Sequence, residues 1–201
     1  MPTIHMAEAS PHMAVAVDGQ HVLAVGPYEE LLAAHPQSRV RTWPGILTQA
    51  LLNPHGPELL EQAYHPDPRE ADEFGTEPVT DLSLVEDLDE ARWGASARRG
   101  LQRMLAHGTV ALAGDLTRPV VVEAVQRSGL TRWIREEQPE GLPSLDPFAT
   151  GGTVVRPLPI SPGHHARFAI FDVRDERELA ERGAGTCVAT VLDGRLLYRR
   201  R

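Results

Sequence analysis

The chain has 201 residues, 41% of them hydrophobic, and a formal net charge of −8. That length holds one sizeable core or two small lobes, and the acidic balance argues against nonspecific nucleic-acid binding. No apolar run approaches the roughly 18 residues of a membrane span, the start MPTIHMAEAS lacks a signal-peptide pattern, and the lone Cys187 excludes an internal disulfide framework and a cysteine-rich zinc site.

Residues 12–25 alternate loosely, and Asp18-Gly19 between two Val/Ala runs predicts a hairpin. Gly26-Pro27 opens a short helix over 28–34, which His35-Pro36 ends. Residues 39–43 read as a strand. Residues 46–52 read as one buried strand, which Asn53-Pro54-His55-Gly56-Pro57 breaks. One or two helical turns follow over 57–64, and 66–78 reads as an exposed acidic loop. The longest periodic element runs from about Leu84 to His107. Its Ala97, Leu101, Met104 and Leu105 share one face, Asp87, Asp89 and Glu90 suit its start, and Gly108 suits its end.

Residues 109–113 (TVALA) form a buried strand ending at Gly114-Asp115. Thr117 and Pro119 are the expected cap and first turn of a helix that stops at Gly129. A short strand is expected over 131–134, then a long ordered Pro/Gly-rich connection over 136–162. Residues 168–173 (FAIFDV) read as a strand, 175–182 as a charged helix, and 187–192 with 195–199 as a hairpin around a type I′ Asp193-Gly194 turn.

Three blocks carry a family likeness: Gly19–Leu31 with Pro44-Gly45, then Ala97–Asp115 (ARRGLQRMLAHGTVALAGD), then Ala166–Arg199. They resemble the amidohydrolase superfamily, especially imidazolonepropionase and the related aminohydrolases that deaminate heterocyclic bases. The first and last blocks look like the two halves of the small β-sandwich. The middle block looks like a barrel helix and strand. Arg167 stands where the family pattern usually has Asp.

The resemblance implies an α+β fold: a composite β-sandwich from residues 1–45 and 163–201, and a reduced barrel remnant of one or two βα units over 46–135. Residues 136–162 connect them. A full (β/α)8 barrel takes about 250 residues, yet only about 30 lie between Trp133 and Ala166, where roughly six βα units would stand.

The resemblance also implies a metal site held by histidines of the first, fifth and sixth barrel strands and an aspartate of the eighth. In the segment PGILTQALL the positions of the first histidine pair are Ala50 and Leu52, and the later strands have no counterpart. No metal and no cofactor are therefore expected. The absence of lysine, all 20 basic residues being arginine, removes a Schiff-base or P-loop lysine.

His55, in a proline-bracketed loop past Leu52, is a candidate base or relocated ligand; the plainer reading is a loop histidine capping local backbone. Asp115 is a catalytic candidate at the top of a barrel strand, or a turn-capping residue. Arg156 is a candidate anion partner beside Gly151-Gly152; the plainer reading of 153–156 is an edge strand. His164 and His165 are candidate binding residues, but strand neighbours face opposite sides. Cys187 reads as a buried, inert thiol.

The expectation is a cytoplasmic, non-catalytic binding or accessory protein. A homodimer or other protein partner is expected, with a small-molecule ligand allowed and neither nucleic acid nor membrane. The alternative is a hydrolase of non-peptide carbon–nitrogen bonds with a relocated or dimer-shared site.

Overall fold

Strand β1 (Thr3–Ala7) leads a four-stranded sheet in a computed structural model that describes residues 1–200. It pairs antiparallel with β2 (Ala14–Asp18), which forms the predicted hairpin with β3 (His21–Gly26). Helix α1 (Tyr28–Ala34) follows, and β4 (Arg39–Trp43) returns parallel to β1. The order is β3-β2-β1-β4.

The stretch expected as one strand is two. Strand β5 (Ile46–Gln49) pairs antiparallel with a C-terminal strand, and β6 (Leu51–Asn53) starts a separate parallel sheet. The chain changes sheets at Ala50. The first residues past Gly45 thus pair with β9 before the chain crosses to the parallel sheet.

Helix α2 (Gly56–Leu60) is a single short turn. The acidic stretch after it is more ordered than the expected open loop. Asp67 and Glu70 make a capping box that starts a 3₁₀ turn at 68–70, leading into α3 (Ala71–Phe74). Helix α4 (Glu90–Leu105) begins later than Leu84. Asp89 caps it by accepting the Arg92 N–H at 2.8 Å, and residues 82–85 form their own 3₁₀ turn.

Strand β7 (Thr109–Ala113), helix α5 (Pro119–Ser128) and strand β8 (Thr131–Trp133) complete the remnant, whose parallel sheet has the order β6-β7-β8. Gly129 ends α5 in the left-handed conformation, as expected. Thr117 does not cap α5; its hydroxyl donates to Glu61 instead. Strand β9 (Phe168–Phe171), helix α6 (Glu176–Arg182), and the hairpin of β10 (Cys187–Leu192) and β11 (Arg195–Arg199) close the chain. The second sandwich sheet runs β11-β10-β9-β5.

Burial shows how the layers stack. On β9, Phe168 and Ile170 pack with Val15, Val17 and Trp43 of the first sheet. Their neighbours Ala169 and Phe171 pack with Leu101, Met104, Val110 and Val125 of the remnant. The second sheet is thus buried on both faces, which is why β9 and β10 are apolar runs without polar alternation. Helix α1 covers the outer face of the first sheet through Leu31, against Ile4 and Ala16. The result is the composite sandwich with a partial barrel beside it.

Residues 136–162 lie along the free edge of β6. The Leu52 N–H donates to the Val155 carbonyl at 2.9 Å, and Asn53 Nδ2 donates to the Ser144 carbonyl at 2.8 Å. The edge strand expected over 153–156 is only this one bridge at Val155, because prolines on both sides limit the pairing. Among the described residues, no helix is long and apolar enough to cross a membrane.

Candidate functional site

Catalytic groups of a parallel barrel sit at the C-terminal ends of its strands. Here that end is formed by Asn53, Ala113 and Trp133. The two positions where the resemblance implies metal-binding histidines, Ala50 and Leu52, are 2% and 6% exposed. They do not share a face as alternate strand residues would. Ala50 lies at the sheet crossing and packs in the main core, while Leu52 follows a register shift and packs with Ala111 and Ala113. Neither carries a donor atom, and Val155 bonds across the backbone of Leu52. Among the described residues no group of three or more His, Cys, Asp or Glu side chains is arranged to hold a metal ion. The residues present do not fit the metal that the resemblance implies.

Helix α2 separates two depressions. One is a polar cleft of about 400 Å³, lined by Glu61, Gln62, Asp115, Thr117 and Arg135 among others. The other is a mostly apolar groove of about 1000 Å³, where Leu59, Ala63, Leu82, Leu142 and Leu145 face Glu58. Gln62 borders both. Arg135, just past β8, donates to Glu58 at 2.8 and 3.0 Å and to the Pro54 carbonyl at 3.3 Å. Both partners are about one-sixth exposed, so the pair is better shielded than a surface ion pair. It ties the end of β8 to the start of α2. No short-range signal announces this pair, because Glu58 and Arg135 lie 77 positions apart.

His55 is the N-cap position of α2, but its side chain makes no capping bond. Its own N–H is bound by Asn53 Oδ1 at 2.9 Å. The ring is 2% exposed, and neither nitrogen has a hydrogen-bond partner among the described residues. Burial lowers its pKa, the Glu58 charge and the Glu140 backbone pull it back, and the Arg135 charge adds to the lowering. A buried, neutral imidazole follows. The expected loop histidine is therefore interior, and its nitrogens are closed to a solvent-borne substrate.

Asp115 is exposed on the rim of the polar cleft. Arg156 lies elsewhere, in an ion pair with Glu176 of α6. His164 and His165 border one small cavity with Arg167, of about 280 Å³. His164 shares a 2.9 Å hydrogen bond with Ser161, while His165 lies 3.1 Å from Asp193 and its ring centroid 4.8 Å from that of His21. His164 sits in a bend rather than a strand, so the two rings are not held to opposite faces. The structure thus groups the histidine pair with Arg167, leaves Arg156 on its own, and sets both apart from the α2 clefts. Cys187 is buried, and burial pushes its thiol up to about 11, an inert form at neutral pH.

Residues 14–37 match the family model described as imidazolonepropionase-like composite domain, bacteria. Similar solved structures include a guanine deaminase from Bradyrhizobium japonicum (19% identity, TM-score 0.43, covering 70% of this chain and 31% of that one). An adenosine deaminase from Xanthomonas campestris with bound zinc gives 18% identity and a TM-score of 0.43, covering 65% of this chain and 32% of that one. Ochratoxinase from A. niger gives 14% and 0.42, covering 66% and 30%. The chain spans about a third of the length of these proteins. No curated protein matches the sequence. The likeness to the imidazolonepropionase-like composite domain lies in β2, β3 and α1, which residues 14–37 span.

Proposed function

We propose that this amidohydrolase-like chain works by binding rather than by metal-assisted hydrolysis, as a carrier or accessory protein that takes a small, largely apolar molecule into the groove beside α2. The observation that carries this reading is Leu52. An apolar, buried side chain stands where a ligand would be needed, and the chain's own Val155 is bonded against it. The groove supports the same reading, since its walls are mainly apolar with a few polar groups on the rim, the usual make-up of a ligand site. The polar groups nearby are engaged: Glu61 accepts from Thr117 and Arg118, and Arg135 from its side donates to Glu58.

One observation favours a second reading. His55 is a neutral imidazole close to Glu58 and Arg135 at the end of a barrel strand, the place for acid–base work on a carbon–nitrogen bond once a movement uncovers it. A panel of heterocyclic amides and amines, followed by calorimetry and by product analysis on the same samples, separates the two. The binding reading predicts saturable heat without product, lost in Leu145→Arg and kept in His55→Gln. Product formation that His55→Gln abolishes would overturn it in favour of hydrolysis.

A further inference from the structure

Three arginines from the two sandwich sheets line one cavity, Arg39 and Arg199 exposed and Arg41 half-buried. Arg39 and Arg41 alternate with Trp43 along β4, so all three project from the same face. Trp43 on that face packs into the core between the sheets. Arg199 comes from β11 of the opposite sheet, and its Cζ lies 5.6 Å from the centroid of the Trp43 ring. Together with Thr42 these residues line a cavity of about 230 Å³. The Trp43 Nε1–H is already donated to His5 Nδ1 at 3.3 Å, which leaves the guanidinium groups as the charged donors of the cavity.

Among the described residues the charge here is not balanced by an ion pair. Arg92, Arg135 and Arg167 each pair with a carboxylate, at 2.6, 2.8 and 2.7 Å. Among the described residues, no carboxylate forms an ion pair with Arg39, Arg41 or Arg199. The chain has 28 acidic residues against 20 basic ones, so carboxylates are not scarce. Arginine cannot relieve repulsion by releasing a proton at neutral pH. The strain shows on Arg41, whose pKa is lowered by burial and then by the charges of Arg39 and Arg199. A doubly charged oxyanion would relieve it, and guanidinium forks match the oxygen spacing of phosphate.

We infer that Arg39, Arg41 and Arg199 form a binding site for a small phosphate-bearing anion, either free phosphate or the phosphate group of a compact ester. The site shares no residue with the groove beside α2 and stands independently of the function proposed for that groove.

The test is titration calorimetry on the full chain at constant ionic strength and mildly alkaline pH, with inorganic phosphate in one arm and methyl phosphate in the other. The expected result is one saturable site. Arg41→Gln and Arg199→Gln should each weaken it about tenfold or more, the loss of a charge-assisted contact. Arg177→Gln removes the same charge from α6, where Arg177 pairs with Glu181, and should leave binding unchanged. Tighter binding of methyl phosphate assigns the site to an ester, and equal or weaker binding assigns it to phosphate itself. Heat that does not saturate, or equal weakening in all three variants, would overturn the inference by reducing it to a general charge effect. Urea unfolding without the anion guards the comparison: Arg41→Gln should be at least as stable as the wild type, because a repulsion has been removed. If Arg41→Gln unfolds instead, the Arg199→Gln and Arg177→Gln pair decides alone.

Discussion

Glu61 Oε1 accepts the backbone N–H of Arg118 at 2.6 Å. The same oxygen accepts the Thr117 N–H at 2.8 Å, and Oε2 accepts the Thr117 hydroxyl at 3.0 Å. A carboxylate just past α2 thus holds the two residues that lead into α5, beside the positive end of that helix. It also lines the polar cleft, so the cleft wall and the approach to a helix depend on one side chain.

Glu61→Ala should therefore cost about 1–3 kcal/mol, from donors left unpaired. Glu61→Gln, which keeps an acceptor oxygen, should cost less. Urea unfolding at neutral pH measures both. Equal stability of all three proteins would show that these bonds are dispensable.

Gly45 has φ of +72°, and a Cβ built there would lie 1.9 Å from the Phe171 carbonyl oxygen. The residue turns the chain from β4 into β5 against the β9 backbone, which cannot give way as a flexible side chain would. Gly45→Ala should destabilise the protein by about 3 kcal/mol or more through backbone strain and overpacking. Thermal unfolding checks this, with Gly19→Ala as a comparison: Gly19 also has positive φ but has open space around it. A Gly45 variant no worse than the Gly19 variant would contradict the account.

Burial, with a smaller contribution from the Arg41 charge, lowers the pKa of His5 from 6.5 to about 4. Burial likewise lowers His55 and His65. A folded-state pKa below the unfolded value means that the unfolded chain takes up protons first as pH falls. Stability is complete above about 6.5 and is lost down to about 4, with His5 accounting for about 3 kcal/mol in order of magnitude. Urea midpoints across that range should fall with acidification, and less steeply in His5→Gln, whose amide oxygen still accepts from Trp43. Equal slopes would remove His5 from the explanation.

Much of the fold was legible because its signals are local. Asp193-Gly194 marks its hairpin, with φ of +50° and +71° as that turn requires, and the bounds of α1, β4, β7 and β11 follow from nearby breakers. Ile46–Asn53 was not separable, because both strands there are largely buried and no break residue stands at Ala50. Strand β1 was missed because TIHMA is short and carries a buried histidine whose partner, Trp43, lies 38 positions away. The site was less legible for the same reason. The pairs Glu58–Arg135 and Glu61–Arg118, and the arginines of β4 and β11, are joined only by the fold. His55 reads as a loop histidine capping local backbone because of its flanking prolines, yet it is interior and its side chain makes no capping bond.

Placing histidines at positions 50 and 52 should not create hydrolytic chemistry. Ala50→His with Leu52→His places two polar rings in separate apolar clusters, so they do not converge on one ion. The expected cost is roughly 2–5 kcal/mol, from lost packing and buried polar groups. Zinc titration and turnover assays on the double variant check this. Hydrolysis of a cyclic amide or an aminated heterocycle with added zinc would show a hidden intact site.

The central claim is that the residues present do not fit a metal, Ala50 and Leu52 among them, and its most direct test is metal content. The protein should be purified without added metal, dialysed against a weak chelator and measured by plasma mass spectrometry. The account predicts far less than one zinc or iron ion per chain. About one ion per chain surviving dialysis would contradict it.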